Sequence, residues 1–257
     1  MNAGSAPARR TLLVIRDRFP EPPTMDTAVS HALLRRTATG AEPESLRLYV
    51  PGAIVAFGPE DVRSPGFRAA VEASQRGGFA AVKRLVGGRA AVYHEATLAF
   101  AWTVPDPQPR AGIRARFEEL ADLLAAALRR LGVDARVGEV PGEYCPGDYS
   151  VNARGRSKLM GVGQRIIAGA AHVGGVIVVG DSARVREILL PVYGALGLAW
   201  DPATAGSVED EVGPVAVADV EAAVLAEFAA RYHLVEGGVS PETLALAERL
   251  EPEHRAP

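Results

Sequence analysis

Apolar residues at Ile113, Phe117, Leu120, Leu124, Leu128 and Leu131 recur every three or four positions, the period of one helix face. The spacing predicts a helix over 113–131, closed by Gly132. Thr24 is placed to cap a helix through Met25, Val29, Ala32 and Leu33 that stops near Gly40, because a hydroxyl before an apolar-periodic run satisfies free backbone N–H groups. Shorter helices are expected over 67–75, ended by Gly77-Gly78, and from an Asp181 cap to about Leu190. Two more amphipathic helices are expected over 217–232 and 241–250. Between them lie strand-like runs over 11–15, 45–50, 53–57, 79–82, 90–93, 98–104, 133–137, 149–153, 159–167 and 176–179, rich in β-branched and apolar residues and bounded by Gly, Pro or polar turns. Strands in runs broken by a few helices, without βαβ alternation, predict an α+β fold. No period of 20–50 residues points to a solenoid.

The chain has 257 residues, 48% of them hydrophobic and 23% charged, with a net charge of −3. That is ample material for one large domain, and the balance argues against an electrostatic nucleic-acid binder. One cysteine, Cys145, forms no intramolecular disulfide, which suits a reducing compartment. No apolar run approaches membrane-spanning length, and residues 1–10 are small, polar and basic, unlike a signal peptide. A cytoplasmic protein without membrane or nucleic-acid partners is expected, with residues 1–10 disordered, a main domain over 11–200 and a C-terminal helical extension over 201–257 packed on it. Of the 28 basic residues only Lys83 and Lys158 are lysine. A lysine retained among so many arginines either marks a site where a compact ammonium is needed or remains by chance.

Several motifs fail on inspection. Gly161-Val-Gly163 lies inside a strand-like run instead of opening a helix, so it is no dinucleotide fingerprint. His94-Glu95 is followed by Leu98 where a zinc protease needs its second histidine. The histidines at 31, 94, 172, 233 and 254 show no ligand spacing with cysteine, and no metal site is expected.

Three segments remain. Lys83-Arg-Leu-Val-Gly-Gly-Arg-Ala-Ala-Val-Tyr-His94 reads as strand, glycine turn, strand. Paired glycines let backbone N–H groups approach a ligand, and Arg84 can hold a carboxylate or phosphate; an ordinary hairpin with a solvent-facing arginine fits the spacing too. Cys145-Pro-Gly-Asp-Tyr149 puts a thiol in a turn-rich loop, where a nucleophile has access, though a free cysteine is also a small core residue. Lys158, before Gly161, Gln164 and the run Gly169-Ala-Ala-His172-Val-Gly-Gly175, can orient a carbonyl or depress a thiol pKa, or simply point to water from a strand edge.

In this order and spacing the three segments resemble the lipoate–protein ligase A and octanoyltransferase superfamily, related to biotin–protein ligases. The resemblance is carried by Arg84, Gly87, Gly88, Val92, Tyr93 and His94, by Lys158, Gly161 and Gln164, and by His172 and Gly174, and it covers roughly residues 11–195. It implies mixed, mainly antiparallel sheets flanked by helices. Cys-Pro-Gly-Asp-Tyr resembles the cysteine-type octanoyltransferases and lipoyl amidotransferases, whereas His94 is more like the carrier-protein-dependent octanoyltransferases or the ligases. Arg89 stands where many ligases have a third glycine.

What the resemblance implies is an acyltransferase in which Cys145 takes an octanoyl or lipoyl group as a thioester and Lys158 supports the thiolate, with Arg84, Gly87, Gly88, Tyr93, His94, Gly161, Gln164 and His172 around the substrate. Its partners would be lipoyl carrier domains, such as the glycine-cleavage H protein or the E2 subunit of 2-oxoacid dehydrogenases, and acyl carrier protein as a possible donor, with no cofactor required. Two other readings stay open: an ATP- and Mg²⁺-dependent lipoate ligase, and a non-catalytic lipoyl-domain or acyl-binding protein. A regular hairpin turning at Arg154–Arg156 sets Cys145 opposite about Gln164, so contact with Lys158 requires the Pro146-Gly147 turn to fold the loop back.

Overall fold

The two longest strand-like runs of the sequence, 98–104 and 159–167, lie on either side of one strand at the centre of the molecule. In the computed structural model, which describes residues 9–257, β6 (Thr97–Pro105), β10 (Ala170–Val178) and β9 (Ser157–Ile167) pair antiparallel. Strand β6 is buried at every position except Pro105, which explains its near-continuous apolar character: both faces of the sheet are covered. An eight-stranded sheet extends from this centre in the order β11-β1-β2-β6-β10-β9-β8-β7. Its remaining strands are β1 (Thr11–Ile15), β2 (Ser45–Tyr49), β7 (Ala135–Val137), β8 (Val151–Ala153) and β11 (His233–Gly237).

A second sheet has three strands, β3 (Ile54–Phe57), β4 (Ala80–Lys83) and β5 (Ala91–Tyr93), in the order β4-β3-β5. Strand β3 runs parallel to β4 and antiparallel to β5. The glycine segment 84–90 therefore does not close a hairpin, as its spacing suggested. It crosses the end of β3, where a Cβ on Gly58 would collide with the Gly88 carbonyl and one on Gly163 would come within 2.8 Å of Val86. These absent side chains bring the segment against β9.

Helices cover both sheets. The helix at 113–131 is α4 (Ile113–Arg130), which packs with α7 (Val217–Arg231) over a core containing Trp102, Leu124, Leu128 and Phe228. The short α2 (Pro59–Val62) precedes α3 (Phe67–Arg76), and α3 packs with α5 (Ser182–Leu196) against the small sheet. Helix α5 passes its internal Pro191 and ends at the left-handed Gly197, beyond the expected stop near Leu190, because packing offsets the hydrogen bond that proline cannot make. Helix α1 (Met25–Ala38) lies against β6 and β10 and packs with α8 (Pro241–Leu250).

Residues 1–8 of the expected disordered terminus lie outside the described residues; Arg9 and Arg10 are hydrogen-bonded to the Ala229 carbonyl and the Tyr232 hydroxyl. Residues 201–257 hold the short α6 (Val208–Val212), α7 and α8, and also supply β11, which pairs parallel with β1. The periodicity of β11 is weak because it is an edge strand with mostly exposed side chains. Strand β10 starts six residues before its expected position, through Ala170-Ala-His-Val-Gly-Gly175. Those small residues read as loop along the chain, but close packing requires them: a Cβ on Gly175 would collide with the Gly161 carbonyl and approach the Phe100 ring to 2.8 Å.

Arg47 on β2 is fully buried, paired with Asp26 of α1 and hydrogen-bonded to the Asp17 carbonyl at 2.8 Å and the Asp26 carbonyl at 2.9 Å. It fixes the first turn of α1 on the sheet. Asp26→Ala, which leaves that guanidinium short of its anion, is expected to cost about 3–5 kcal/mol in urea denaturation, and the double variant Asp26→Ala/Arg47→Met markedly less. Equal losses from the two proteins would show that the pair does not carry this anchoring.

Candidate active site

Cys145 sits in the loop between β7 and β8 with φ +45°, a left-handed conformation that costs a residue bearing a Cβ about 1–2 kcal/mol. Three interactions hold it. The Lys158 ammonium, arriving from β9, donates to Glu143 Oε1 at 2.9 Å, to the Tyr144 carbonyl at 3.0 Å and to the Cys145 carbonyl at 2.6 Å. Glu143 also accepts from the Ser150 hydroxyl at 2.6 Å and the backbone N–H groups of Val140 and Gly147 at 3.1 and 3.2 Å. The Cys145 N–H donates to the Tyr193 hydroxyl at 2.8 Å, which in turn donates to the Ala90 carbonyl at 3.0 Å. The Lys158 and Glu143 side chains are 1% and 0% exposed, so their charges answer each other with little water between them.

The loop thus folds back over the start of β9, and Lys158 reaches the backbone of Cys145. Gly161 makes room for the lysine stem: a Cβ there would lie 3.2 Å from Lys158 Cε. An ammonium has three N–H donors, and the loop engages all three. Lys158 acts on the sulfur through its charge.

The direct partners of the thiol come from the glycine segment. Sγ accepts the Arg89 N–H at 3.2 Å and faces Arg84 Nη2 at 3.4 Å. Gly88, at φ +99°, permits this approach: a Cβ there would collide with the Arg84 guanidinium and lie 2.8 Å from Sγ. Burial opposes ionisation of the thiol, but the charge of Arg84, then that of Lys158, then the hydrogen bonds from Arg84 and Arg89 outweigh it. The thiol is left below its ordinary pKa, and thiolate is the nucleophilic form.

Two cavities adjoin the contact between Arg84 and Cys145, one lined by each residue. One is an open pocket of about 340 Å³ lined by Gly87, Gly88, Phe117, Cys145, Gly163 and Gln164. The other is a narrow slot of about 50 Å³ lined by Tyr49, Arg84, Tyr93, Phe100, His172 and Gly174. Arg84 belongs to the slot and touches the thiol, so its guanidinium stands between the two spaces. Gln164 accepts from Arg116 Nε at 2.8 Å and donates to the Ile113 carbonyl at 3.2 Å, tying β9 to the start of α4 beside the pocket. His172, 3.4 Å from the Thr103 hydroxyl, is pushed down to about 3 by burial and by the charges of His31 and Arg47. It is a neutral wall of the slot.

Of the residues singled out in the sequence, Arg84, Gly87, Gly88, Lys158, Gly161 and Gln164 gather around Cys145, while Tyr93 and His172 line the slot. His94 lines neither cavity. It lies after β5, where its Nδ1 accepts the Ala96 N–H at 3.2 Å and its Nε2 is buried without a partner among the described residues; burial and Arg184 lower its pKa. Sequence reasoning missed Glu143, Tyr193 and the Arg89 N–H. Glu143, two positions before the cysteine, shares that loop with Glu139 and Asp148, and spacing alone does not single it out. Tyr193, 48 residues from Cys145, leaves no local signal.

Residues 22–229 match the family model described as the lipoyl protein ligase A/B catalytic domain. The chain is 28% identical over 170 residues to an octanoyl-[GcvH]:protein N-octanoyltransferase of Geobacillus kaustophilus, a match covering 66% of this chain and 60% of that protein. It is 25% identical over 173 residues to a lipoyl-[GcvH]:protein N-lipoyltransferase of Listeria monocytogenes, covering 67% and 62%. The chain thus spans about three fifths of the length of these curated relatives. Among solved structures, a lipoate–protein ligase A bound with ATP superposes with a TM-score of 0.77 at 20% identity, covering 96% of this chain and 95% of that one. A bipartite lipoate protein ligase studied with its E2 lipoyl domain from Thermoplasma acidophilum gives 0.71 at 19%, covering 96% and 93%. The fold is theirs: mixed, mainly antiparallel sheets flanked by helices.

Gly88→Ala tests the contact between the glycine segment and the thiol. The added methyl displaces Arg84 from the sulfur, and alkylation of Cys145 by iodoacetamide at neutral pH is expected to slow about tenfold, as for a thiol whose pKa rises by about one unit. An unchanged rate in a folded variant would place the source of thiol activation elsewhere.

Proposed function

Because this chain belongs to the lipoyl protein ligase A/B catalytic domain family, we propose that it is a cysteine-dependent acyltransferase of protein lipoylation, moving an octanoyl or lipoyl group through a Cys145 thioester to a lysine of a lipoyl carrier domain. The observation that carries this reading is the position of Sγ: on the wall of an open pocket, with the Arg89 N–H and the guanidinium of Arg84, itself part of the neighbouring slot, directed at it. A structural cysteine needs neither a cation nor a mouth to solvent; a nucleophile needs both.

In the first half-reaction the thiolate attacks the carbonyl carbon of the donor acyl group, forming the C–S bond. The bond from that carbon to the donor's lysine nitrogen breaks, or to its sulfur if the donor is a carrier thioester. A departing amine takes a proton from water in the open pocket. In the second, the acceptor's lysine amine attacks the thioester and loses a proton to water, and the thiolate leaves. Division into two transfers replaces one difficult step by two easier ones. The slot, about 50 Å³ as it stands, takes an eight-carbon chain only by widening, and burial of that chain contributes about 0.8 kcal/mol per methylene. The open pocket admits the lysine arm of the carrier. The donor named for the curated relatives is the acylated H protein, and an octanoylated H protein is the donor proposed for this chain. Neither half-reaction consumes ATP; a ligase reading requires ATP and Mg²⁺ to activate free lipoate.

Intact-mass spectrometry after incubation with an octanoylated H protein, without ATP, tests the proposal. The expected result is one octanoyl adduct, removed by hydroxylamine and absent from Cys145→Ser. Attachment of free lipoate that requires ATP and survives Cys145→Ala would overturn the transferase reading in favour of a ligase. Tight carrier binding with no adduct and no turnover would overturn it in favour of a binding protein. The acylation rate is also expected to rise with pH as the thiol ionises and to level off below the ordinary thiol value of about 8.5, because Arg84 and Lys158 together favour the thiolate over burial.

A further inference from the structure

The narrow slot holds a long acyl chain only when its walls part, and one residue outside the slot ties two of those walls together. We propose that His254 latches the slot: it is hydrogen-bonded to His31 of α1 on one side and to the Lys83 carbonyl at the end of β4 on the other, so a long acyl chain enters only by breaking the latch and a short one does not. His254 is thereby a determinant of acyl-chain length. It acts through the walls without touching the chain, which makes it a positioning residue. The proposal rests on the reading above only in taking the slot as the seat of an acyl chain.

The two walls belong to separate elements. Thr27 and Ser30 of α1 line the slot, and so do Arg84, Leu85 and Val86, the residues that leave β4. Positions three and four apart are neighbours on a helix, so His31 adjoins the face that carries Thr27. Lys83 directly precedes Arg84, and the peptide between them is held at both edges. Its carbonyl accepts from His254 Nδ1 at 2.8 Å, and its N–H, that of Arg84, donates to the Phe57 carbonyl at 2.9 Å. His254 therefore holds α1 to the start of the glycine segment from behind the slot. Its bond to His31 is 3.2 Å long, and a hydrogen bond of that length tolerates little stretching. The walls separate only when this contact opens.

The hydrogen bonds of the latch fix one another's direction. A carbonyl only accepts, so His254 Nδ1 carries a proton, and in a neutral ring Nε2 is then the acceptor. Arg35 Nε only donates, and it lies 3.1 Å from His31 Nε2, so His31 Nδ1 carries the proton that meets His254 Nε2. Both ends of the relay specify the same pair of neutral rings. Burial first, then the charges of His254 and Arg35, pushes His31 down to about 4. Burial lowers His254 as well, against the pull of the Lys83 carbonyl and Glu253. The segment after α8 that carries His254 is anchored beside it: Glu251 accepts from the Thr24 hydroxyl ahead of α1 and pairs with Arg255 at 2.6 Å, and Arg255 bridges to Val82 on the outer edge of β4. His254 is 5% exposed, and its ring meets that of His31 edge-on with centroids 5.3 Å apart.

The test uses the full chain, whose single cysteine makes every alkylation event that of Cys145. Butanamide, octanamide and decanamide, neutral stand-ins for acyl groups of three lengths, are titrated as protectants of Cys145 against iodoacetamide at one fixed pH. The proteins are the wild type, His254→Ala and His31→Ala, each checked for folding by circular dichroism. His31→Ala cuts only the link to α1 and leaves the bond to Lys83 in place, so it decides the matter if His254→Ala fails to fold. In both variants decanamide is expected to protect at about fivefold lower concentration relative to butanamide than in the wild type, the net worth of one hydrogen bond no longer broken on entry. A merely structural role shifts the three amides alike. An unmoved ratio, an equal shift at every length, or no protection by any amide overturns the latch. If the ratio is unmoved while an octanoylated H protein acylates the wild type, the latch fails and the transferase reading stands. If the ratio moves in a protein that an octanoylated H protein never acylates, the transferase reading fails and the latch stands.

Discussion

The site depends on an ion pair that takes no direct hold of the reacting sulfur. Lys158 and Glu143 are both buried, and together they gather two loop carbonyls, two backbone N–H groups and the Ser150 hydroxyl into one satisfied network. Burying two charges is expensive, and it is repaid only when geometry and hydrogen bonding are complete. Here they are complete, and what the network secures is a left-handed Cys145 that no local preference would hold. Tyr193 adds a second tether from α5.

The second constraint is close approach. The two sheets meet where Gly163 of β9 lies against Val86, and glycines allow similar close approaches within each sheet region, Gly58 beneath Gly88 and Gly175 against Gly161. The same deletions carry the Arg84–Arg89 segment onto the thiol and leave a narrow slot beside it. Glycine costs conformational entropy, and each of these positions gains a backbone contact in return. Site and packing therefore share one cause.

Much of this was legible along the chain. The period of α4 and the near-continuous apolar run of β6 announce themselves, because burial on one helix face or on both sheet faces leaves a pattern in sequence. The scarcity of lysine pointed to Lys158, which the structure uses as an ammonium. It pointed equally to Lys83, whose backbone carbonyl accepts from His254 at 2.8 Å, a contact any residue could supply. Strand β11 and the early start of β10 were hidden, since an edge strand has little burial to advertise and a strand of small residues reads as loop.

What the sequence by itself determined were the segments and their chemistry: a thiol in a turn, a lone lysine on a strand, an arginine before paired glycines, and a fold class of strands in runs. What only the tertiary structure decided was who touches whom. Spacing suggested a hairpin at 84–90 and set Cys145 opposite Gln164; the structure inserts β3 between β4 and β5 and folds the cysteine loop back to Lys158. Distances between residues 61 and 13 positions apart depend on strand order and loop path, which arise from packing the whole core at once. Periodicity records only which face of its own element each residue occupies.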